Sequence, residues 1–258
     1  MHFIDTHTHL YSEEFNTDIE KVIENALNNK IERFYIPNVD KSTVQPMLDL
    51  KEKFPEHIFP MIGIHPCSIK EDYENELSAV ENELENRLSQ YVAIGEIGMD
   101  LYWDKTFIKE QEIALRKQIE WAKKYKLPII LHCRDAFEEL FEIVESENSE
   151  DLKGIFHCFT GDDNDAARIE KLGGFKIGIG GVVTFKNSSL KDILKKIGIQ
   201  NIVLETDAPY LAPVPFRGKR NESAYVLNIA QFIADYLSIP LEKIADITNR
   251  NALEIFGD

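Results

Sequence analysis

His7 and His9 stand two apart in Phe3-Ile4-Asp5-Thr6-His7-Thr8-His9-Leu10. Read as a short strand, this stretch alternates its side chains between two faces, so Asp5, His7 and His9 share one. Two neutral imidazoles at a strand end can grip one borderline metal ion. His65, Glu96, His132, His157, Glu205 and Asp207 each fall where another apolar run ends. Any one alone has a bland reading: a satisfied rim histidine, a salt-bridge carboxylate, or, for Asp207, a cap on the next segment. Gathered together without a cation they would be costly to bury. The set therefore reads as ligands for two divalent ions. His7, His9 and Asp207 could hold one, His132 and His157 the other, with Glu96 as the bridge. Nitrogen and carboxylate donors without thiolate suit zinc, manganese or iron(II), and magnesium less well. Two ions about 3.5–4 Å apart are suited to hydrolysis.

Other residues near these positions suggest supporting roles. Asp207 would be the proton acceptor as well as a ligand. Arg134, two past His132, and Arg217, in a Pro-rich turn, could hold phosphate bidentately. For Lys219 and Arg220 a solvated basic loop is as good an account. Tyr102 and Trp103 could stack on a base or close a mouth, and core packing explains them equally well. Cys133 and Cys158 each follow a candidate ligand, and alternation turns them away as small buried residues. Cys67 is ambiguous, and a Cys-His nucleophile pair ranks third.

Positioning these residues requires an alternating chain. Strand patterns run at the opening stretch, Ile31 to Ile36, His57 to Ile64, Tyr91 to Ile97, Leu127 to His132, Gly154 to Phe159, Gly174 to Ile179 and Asn201 to Glu205. Several are nearly continuous apolar runs, as strands buried on both faces should be. Helical faces fill the gaps, such as Ile19, Val22, Ile23, Ala26 and Leu27, or Ile108, Leu115, Ile119 and Ala122. Two helices close the chain, around Ser223 to Leu237 and Leu241 to Phe256. Alternation implies parallel βαβ units, and eight of them predict an α/β fold, a (β/α)₈ TIM barrel spanning 1–258 as a single domain. An open doubly wound sheet is the other arrangement. In a barrel the chemistry sits at the carboxyl ends of the strands, where these polar residues fall.

The chain has 258 residues, 29 basic and 45 acidic, for a net charge of −16. That excludes a protein that coats nucleic acid by bulk charge, though not a local cationic site for a nucleic acid substrate. Three cysteines, no signal-peptide pattern and no apolar run near about 20 residues lead us to expect a reducing, cytoplasmic setting with no membrane. No obligate protein partner is implied.

Six motifs, in order, resemble one family: Asp5-Thr6-His7-Thr8-His9-Leu10, Gly63-Ile64-His65-Pro66, Gly95-Glu96-Ile97-Gly98-Met99-Asp100, His132-Cys133-Arg134-Asp135-Ala136, His157-Cys158-Phe159-Thr160-Gly161 and Glu205-Thr206-Asp207-Ala208-Pro209-Tyr210-Leu211. Together they are similar to the TatD metal-dependent hydrolases. That resemblance implies an amidohydrolase-like barrel and a deoxyribonuclease that trims DNA from its 3′ end. It implies His7, His9, Glu96, His132, His157 and Asp207 as metal ligands, with Glu205 and His65 joining a further metal or touching phosphate. Met99, Leu101, Gly180 and Ser223 depart from the family's usual residues. Two rival functions remain at this stage. One is hydrolysis of a C–N or ester bond in a cyclic amide or lactone, though there a carboxylated lysine commonly stands where Glu96 does. The other is a non-enzymatic barrel that keeps its metal as a clamp.

Overall fold

The structure is a computed structural model that describes residues 1–257. Eight strands run β1 (Phe3–Asp5), β2 (Ile31–Pro37), β3 (Ile58–Met61), β4 (Ile94–Asp100), β5 (Ile129–Arg134), β6 (Gly154–Phe156), β7 (Phe175–Ile179) and β8 (Ile202–Leu204). Every pairing between neighbours is parallel, β1 to β3 and β4 to β8. Backbone bonds from Ile62 N to Ala93 O (3.1 Å) and from Gly95 N to Ile62 O (2.9 Å) join β3 to β4. Thr6 N to Leu204 O (3.0 Å) and Asp207 N to His7 O (2.9 Å) close the ring between β8 and β1. The result is the TIM-barrel architecture that the alternation predicts.

Helices α1 (Ile19–Asn28), α2 (Lys41–Lys53), α3 (Tyr73–Arg87), α4 (Ile108–Tyr125), α5 (Phe137–Glu147), α6 (Asp163–Leu172) and α7 (Leu190–Ile197) each fill one crossover. They end where the local chemistry requires. Asp40 caps α2 by accepting from Ser42 N at 2.8 Å, and Asp162 caps α6 by accepting from Asn164 N at 2.7 Å. Gly173 follows α6 at φ 80°, a left-handed turn suited to glycine. α8 (Val226–Leu237) and α9 (Leu241–Phe256) follow β8, with Ser223–Tyr225 forming a 3₁₀ turn where a helical start was expected. Among the described residues no single helix is long and apolar enough to cross a membrane.

Two apolar layers result from strand alternation. The larger lies between strands and helices. The smaller takes Ile4, Tyr35, Met61, Ala93, Ile130, Ile155 and Val203 from successive barrel positions, with Ala252 and Ile255 of α9. Phe256 stacks on Tyr35 at 3.8 Å, and Asn249 donates to His2 O just before β1. α9 thus plugs the amino-terminal end of the barrel. The polar end is left to face the other way.

Two strand ends that bear on the site differ from the sequence reading. β1 ends at Asp5, so His7 and His9 lie on the loop beyond it. Asp5 does not share their role: it is fully buried and accepts from Thr206 N (2.9 Å) and Thr206 Oγ1 (2.6 Å) in the β8–β1 seam. β4 continues through Asp100, because its pairing with β5 persists to Arg134. Glu96 is therefore inside the strand, below the rim, and Asp100 takes the strand's end.

Candidate metal centre at the barrel mouth

Glu96 is 2% exposed and stands at the middle of the carboxyl end of the barrel. Its Oε1 lies 2.7 Å from His157 Nε2, 3.0 Å from His132 Nδ1 and 3.3 Å from His65 Nε2. Its Oε2 lies 3.1 Å from His7 Nε2 and 3.6 Å from His9 Nε2. Asp207 Oδ1 is 3.5 Å from His9 Nε2 and 3.8 Å from His7 Nε2. The structure thus brings all six sequence-predicted ligands together. Three groups have the spacing for a cation: His7–His9–Asp207, His7–Glu96–His157 and His65–Glu96–His132.

The donors fit a divalent cation on two further grounds. His7 Nδ1 and Glu205 Oε2 are buried without a hydrogen-bond partner, and the ring nitrogens of His157, though 2.7 and 3.7 Å from carboxylate oxygens, make no well-aligned hydrogen bond, a costly state that ligation would relieve. The charges also behave as a site built around a cation. Burial disfavours charge on Glu96, but His157, His65 and His7 outweigh it and hold its carboxyl well below the usual range. Burial likewise opposes charge on His157, yet Glu96 and Glu205 raise its pKa well above the usual imidazole value. Burial, helped by the charge of His157, pushes His7 down. Imidazolium rings here supply the positive charge that a metal would bring, and metal binding must displace their protons.

Side chains behind the cluster orient it. Asp100 Oδ2 takes the His132 Nε2 proton at 2.8 Å, which leaves Nδ1 to face Glu96. Asp100 Oδ1 also accepts from Tyr102 N (3.0 Å) and Trp103 N (3.3 Å). Although burial opposes it, the bond from His132 holds the Asp100 carboxyl down at about 2. Tyr11 OH sits 3.0 Å from His9 Nδ1; with Nδ1–H donating, His9 Nε2 presents its lone pair to the cluster. Two buried glutamines of α4 complete the support. Gln118 brackets Ile64, accepting from its N at 2.6 Å and donating to its O at 3.3 Å, just before His65. Gln111 brackets Asp100 in the same way, at 2.9 and 3.2 Å.

The remaining sequence-predicted residues divide. His65 Nδ1 accepts from Cys67 N at 3.0 Å, so the neutral ring carries its proton on Nε2 and presents a donor to Glu96. Glu205 lies behind His157, its Oε1 3.7 Å from Nδ1 and accepting from Cys158 N. Gly178 makes room for it, since a Cβ there would overlap Glu205 Oε2. Asp207 adopts φ 55°, a turn that aims its carboxylate back at His7 and His9. Arg134 lies over the Tyr102 ring at 3.7 Å and the Trp103 ring at 5.1 Å, and those rings are 51% and 69% exposed. They are a rim platform, and the core-packing account of them fails. Arg217 lies over Phe185 at 4.4 Å, in the wall of a cavity that none of the six ligands lines. Arg220 is structural, bidentate to Asp18 at 2.8 Å and bound to Glu222 at 2.9 Å. Cys67 is a neutral thiol: burial, then the charge of Asp100, pushes it up to about 12. Cys158 differs from its expected orientation. β6 ends at Phe156 and the chain turns at φ 44°, leaving Cys158 half-buried beside the carboxylates, which with burial keep its thiol protonated.

Sequence reasoning gave no role to Asp100, Tyr11, Gln111 and Gln118. The glutamines had a signal: two amides seven residues apart on an apolar face of α4. Met99 and Leu101 are packed in the core, and Ser223 is buried with its hydroxyl 3.3 Å from Thr8, so those departures act behind the site.

The comparisons agree with this geometry. The family model described as TatD related DNase matches residues 4–257. An uncharacterized metal-dependent hydrolase of Bacillus subtilis (strain 168), YabD, is 41% identical over 253 residues, covering 98% of each chain. The crystal structure of YjjV, a TatD homologue from Escherichia coli K12, superposes with a TM-score of 0.92 at 29% identity, covering 99% of this chain and 98% of that one. A TatD family hydrolase from Entamoeba histolytica, at 22% identity and a TM-score of 0.88, shares the fold. A barrel whose mouth gathers five imidazoles and one aspartate around one buried glutamate, matched over nearly its whole length, places the chain in the TatD family of metal-dependent hydrolases.

Proposed function

We propose that this protein is a deoxyribonuclease that hydrolyses phosphodiester bonds of single-stranded DNA from the 3′ end, with two divalent ions, zinc first, at the barrel mouth. The observation that carries the reading is Arg134. Among the described residues it has no carboxylate partner, and it lies over the exposed Tyr102 ring at 3.7 Å, with the Trp103 ring 5.1 Å away, at the lip of the cluster. A planar guanidinium held in this way offers its edge to phosphate, and the rings offer their faces to a base.

His7, His9 and Asp207 would hold one ion, and His132 and His157 the other, with Glu96 shared. Bound there, the ions supply Lewis acidity to a phosphoryl oxygen and acidify a water molecule. Asp207, on a side chain 14% exposed, would take the proton of the attacking water. His65 Nε2–H and Arg134 are the donors available to the phosphate as its charge grows. Tyr102 and Trp103 orient the adjacent base. An uncharged lactone or cyclic amide brings no anion for Arg134 to hold in the ground state.

The test is cleavage of 5′-labelled single-stranded DNA by metal-stripped protein with each ion restored, beside a panel of lactones and cyclic amides. We expect zinc- or manganese-dependent shortening from the 3′ end, and loss of about 100-fold or more in Asp207→Asn. Turnover of a lactone with no cleavage of DNA would overturn the reading. Undiminished cleavage by Asp207→Asn would remove that residue from the mechanism.

A further inference from the structure

A cavity of about 470 Å³ opens among the segments that follow β6, β7 and β8. Phe159, Val182, Phe185, Lys186, Ser188 and Arg217 are among its walls. Phe159 is only two residues past His157, so the wall begins within about 7 Å of a ligand-bearing Cα. A strand whose phosphates recur every few ångström covers that span in one or two nucleotides.

The charge around this cavity is unlike the rest of the chain. Carboxylates outnumber cations 45 to 29 overall, yet no Asp or Glu occurs from Lys171 to Lys191, from Ala208 to Asn221, or from Leu152 to Gly161. These are the three segments that build the walls. Among the described residues Lys186 and Arg217 have no carboxylate partner, whereas Arg168 and Arg220 each hold two. The Arg217 guanidinium lies over the Phe185 ring at 4.4 Å, and among the described residues it makes no ion pair. Two of the walls are tied together. Thr184 Oγ1 donates to Gly181 O at 2.7 Å and accepts from Val214 N at 2.9 Å. Phe216, beside Arg217, stacks on Tyr225 at 4.1 Å. A cavity shaped before its ligand arrives binds at lower entropic cost.

We propose that this cavity is a second nucleotide subsite. Lys186 and Arg217 hold the phosphate of the nucleotide next to the one at the metal centre, and Phe159 and Phe185 line the space for its base. This rests on the nuclease reading for the substrate and deepens it: Arg217 grips a neighbouring phosphate, and chains longer than one nucleotide are preferred.

Two readouts keep the subsite separate from the nuclease reading. The first is anisotropy of a fluorescein-labelled oligothymidylate with hydrolysis-resistant phosphorothioate linkages, titrated with the metal-loaded enzyme. For the double variant Lys186→Gln/Arg217→Gln we expect about tenfold weaker binding. The magnitude of its salt slope should fall by about 1.4, two contacts at about 0.7 each on a single strand. Lys219→Gln, a cation of the same loop outside the cavity, should leave both values unchanged. The second readout is kcat/KM for the oligomer relative to thymidine 5′-p-nitrophenyl phosphate, a diester too short to fill the cavity. That ratio should fall about tenfold in the double variant. Unchanged binding and slope, an equal effect of Lys219→Gln, or equal loss on both substrates would each overturn the subsite. If the protein binds the oligomer through these cations but cleaves no diester, the nuclease reading falls and the subsite stands.

Discussion

Asp100→Asn is the sharpest perturbation of the centre, because it changes one charge and almost no shape. Asp100 Oδ2 receives the His132 Nε2 proton at 2.8 Å, while Oδ1 holds the amides of Tyr102 and Trp103. Asparagine keeps Oδ1 for the amides but puts an NH2 donor where Oδ2 accepted, so the His132 Nε2–H loses its charge-assisted bond. Such a bond contributes about 1.5–3 kcal/mol, and at 1.4 kcal/mol per tenfold metal affinity should fall about 10- to 140-fold. The loss should grow with pH. In the metal-free protein burial opposes charge on His132, but Asp100 and Glu96 outweigh it and raise its pKa, so near neutrality a cation competes with a proton that the same variant loosens. Competition from the proton fades as pH rises, so the difference should be larger at pH 9 than at pH 7. The assay is zinc competition against a chromophoric chelator at pH 7 and 9, with the thermal midpoint in chelator as the folding control. Equal affinity at pH 9 would refute the positioning role of Asp100. So would a loss matched by an equal fall in the metal-free midpoint.

Three more outcomes follow from the same structure. His157, raised well above its usual value, stabilises the metal-free protein below about pH 6.5, and that contribution is lost as pH rises through its folded pKa. Thermal midpoints in chelator should therefore fall with rising pH while the increment from added zinc grows, and zinc uptake should release protons detectable with an indicator dye. Gly98→Ala should cost about 2–4 kcal/mol in urea unfolding, because at φ 144° its Cβ would overlap His132 O in the β4–β5 pair. Gln118→Leu strands the buried N–H and C=O of Ile64 and should cost about 2 kcal/mol, with a rise in KM as His65 loosens, measured by urea midpoint and steady-state rates.

What could be read from the chain was what periodicity carries. Eight apolar runs announced eight strands, and the residues at their ends announced the cluster, because a parallel barrel leaves only those ends for polar side chains. Depth was less legible. Glu96 looks like a strand end because Gly95 and Gly98 flank it, but the β4–β5 pairing continues to Asp100 and lowers it below the rim. Asp5 looks like a ligand by alternation, but the strand stops at it and the seam with Thr206 claims its carboxylate. Partners that arrive from distant segments have no local signature. Asp18 claims Arg220 from about 200 positions away, and Phe185 seats Arg217. Tyr102 and Trp103 could be core or rim by composition, and only their exposure decides.

The seam between β8 and β1 has a consequence for how the protein is made. His7 and His9 leave the ribosome first among the donors, and Asp207, whose N bonds to His7 O at 2.9 Å, leaves last. The intervening Glu96, His132 and His157 have no barrel to converge in until that bond forms. The full donor set therefore exists only once the segments after β1 and β8 have met. A cation held by His7, His9 and Asp207 would tie those two segments together and guard the closed ring against reopening.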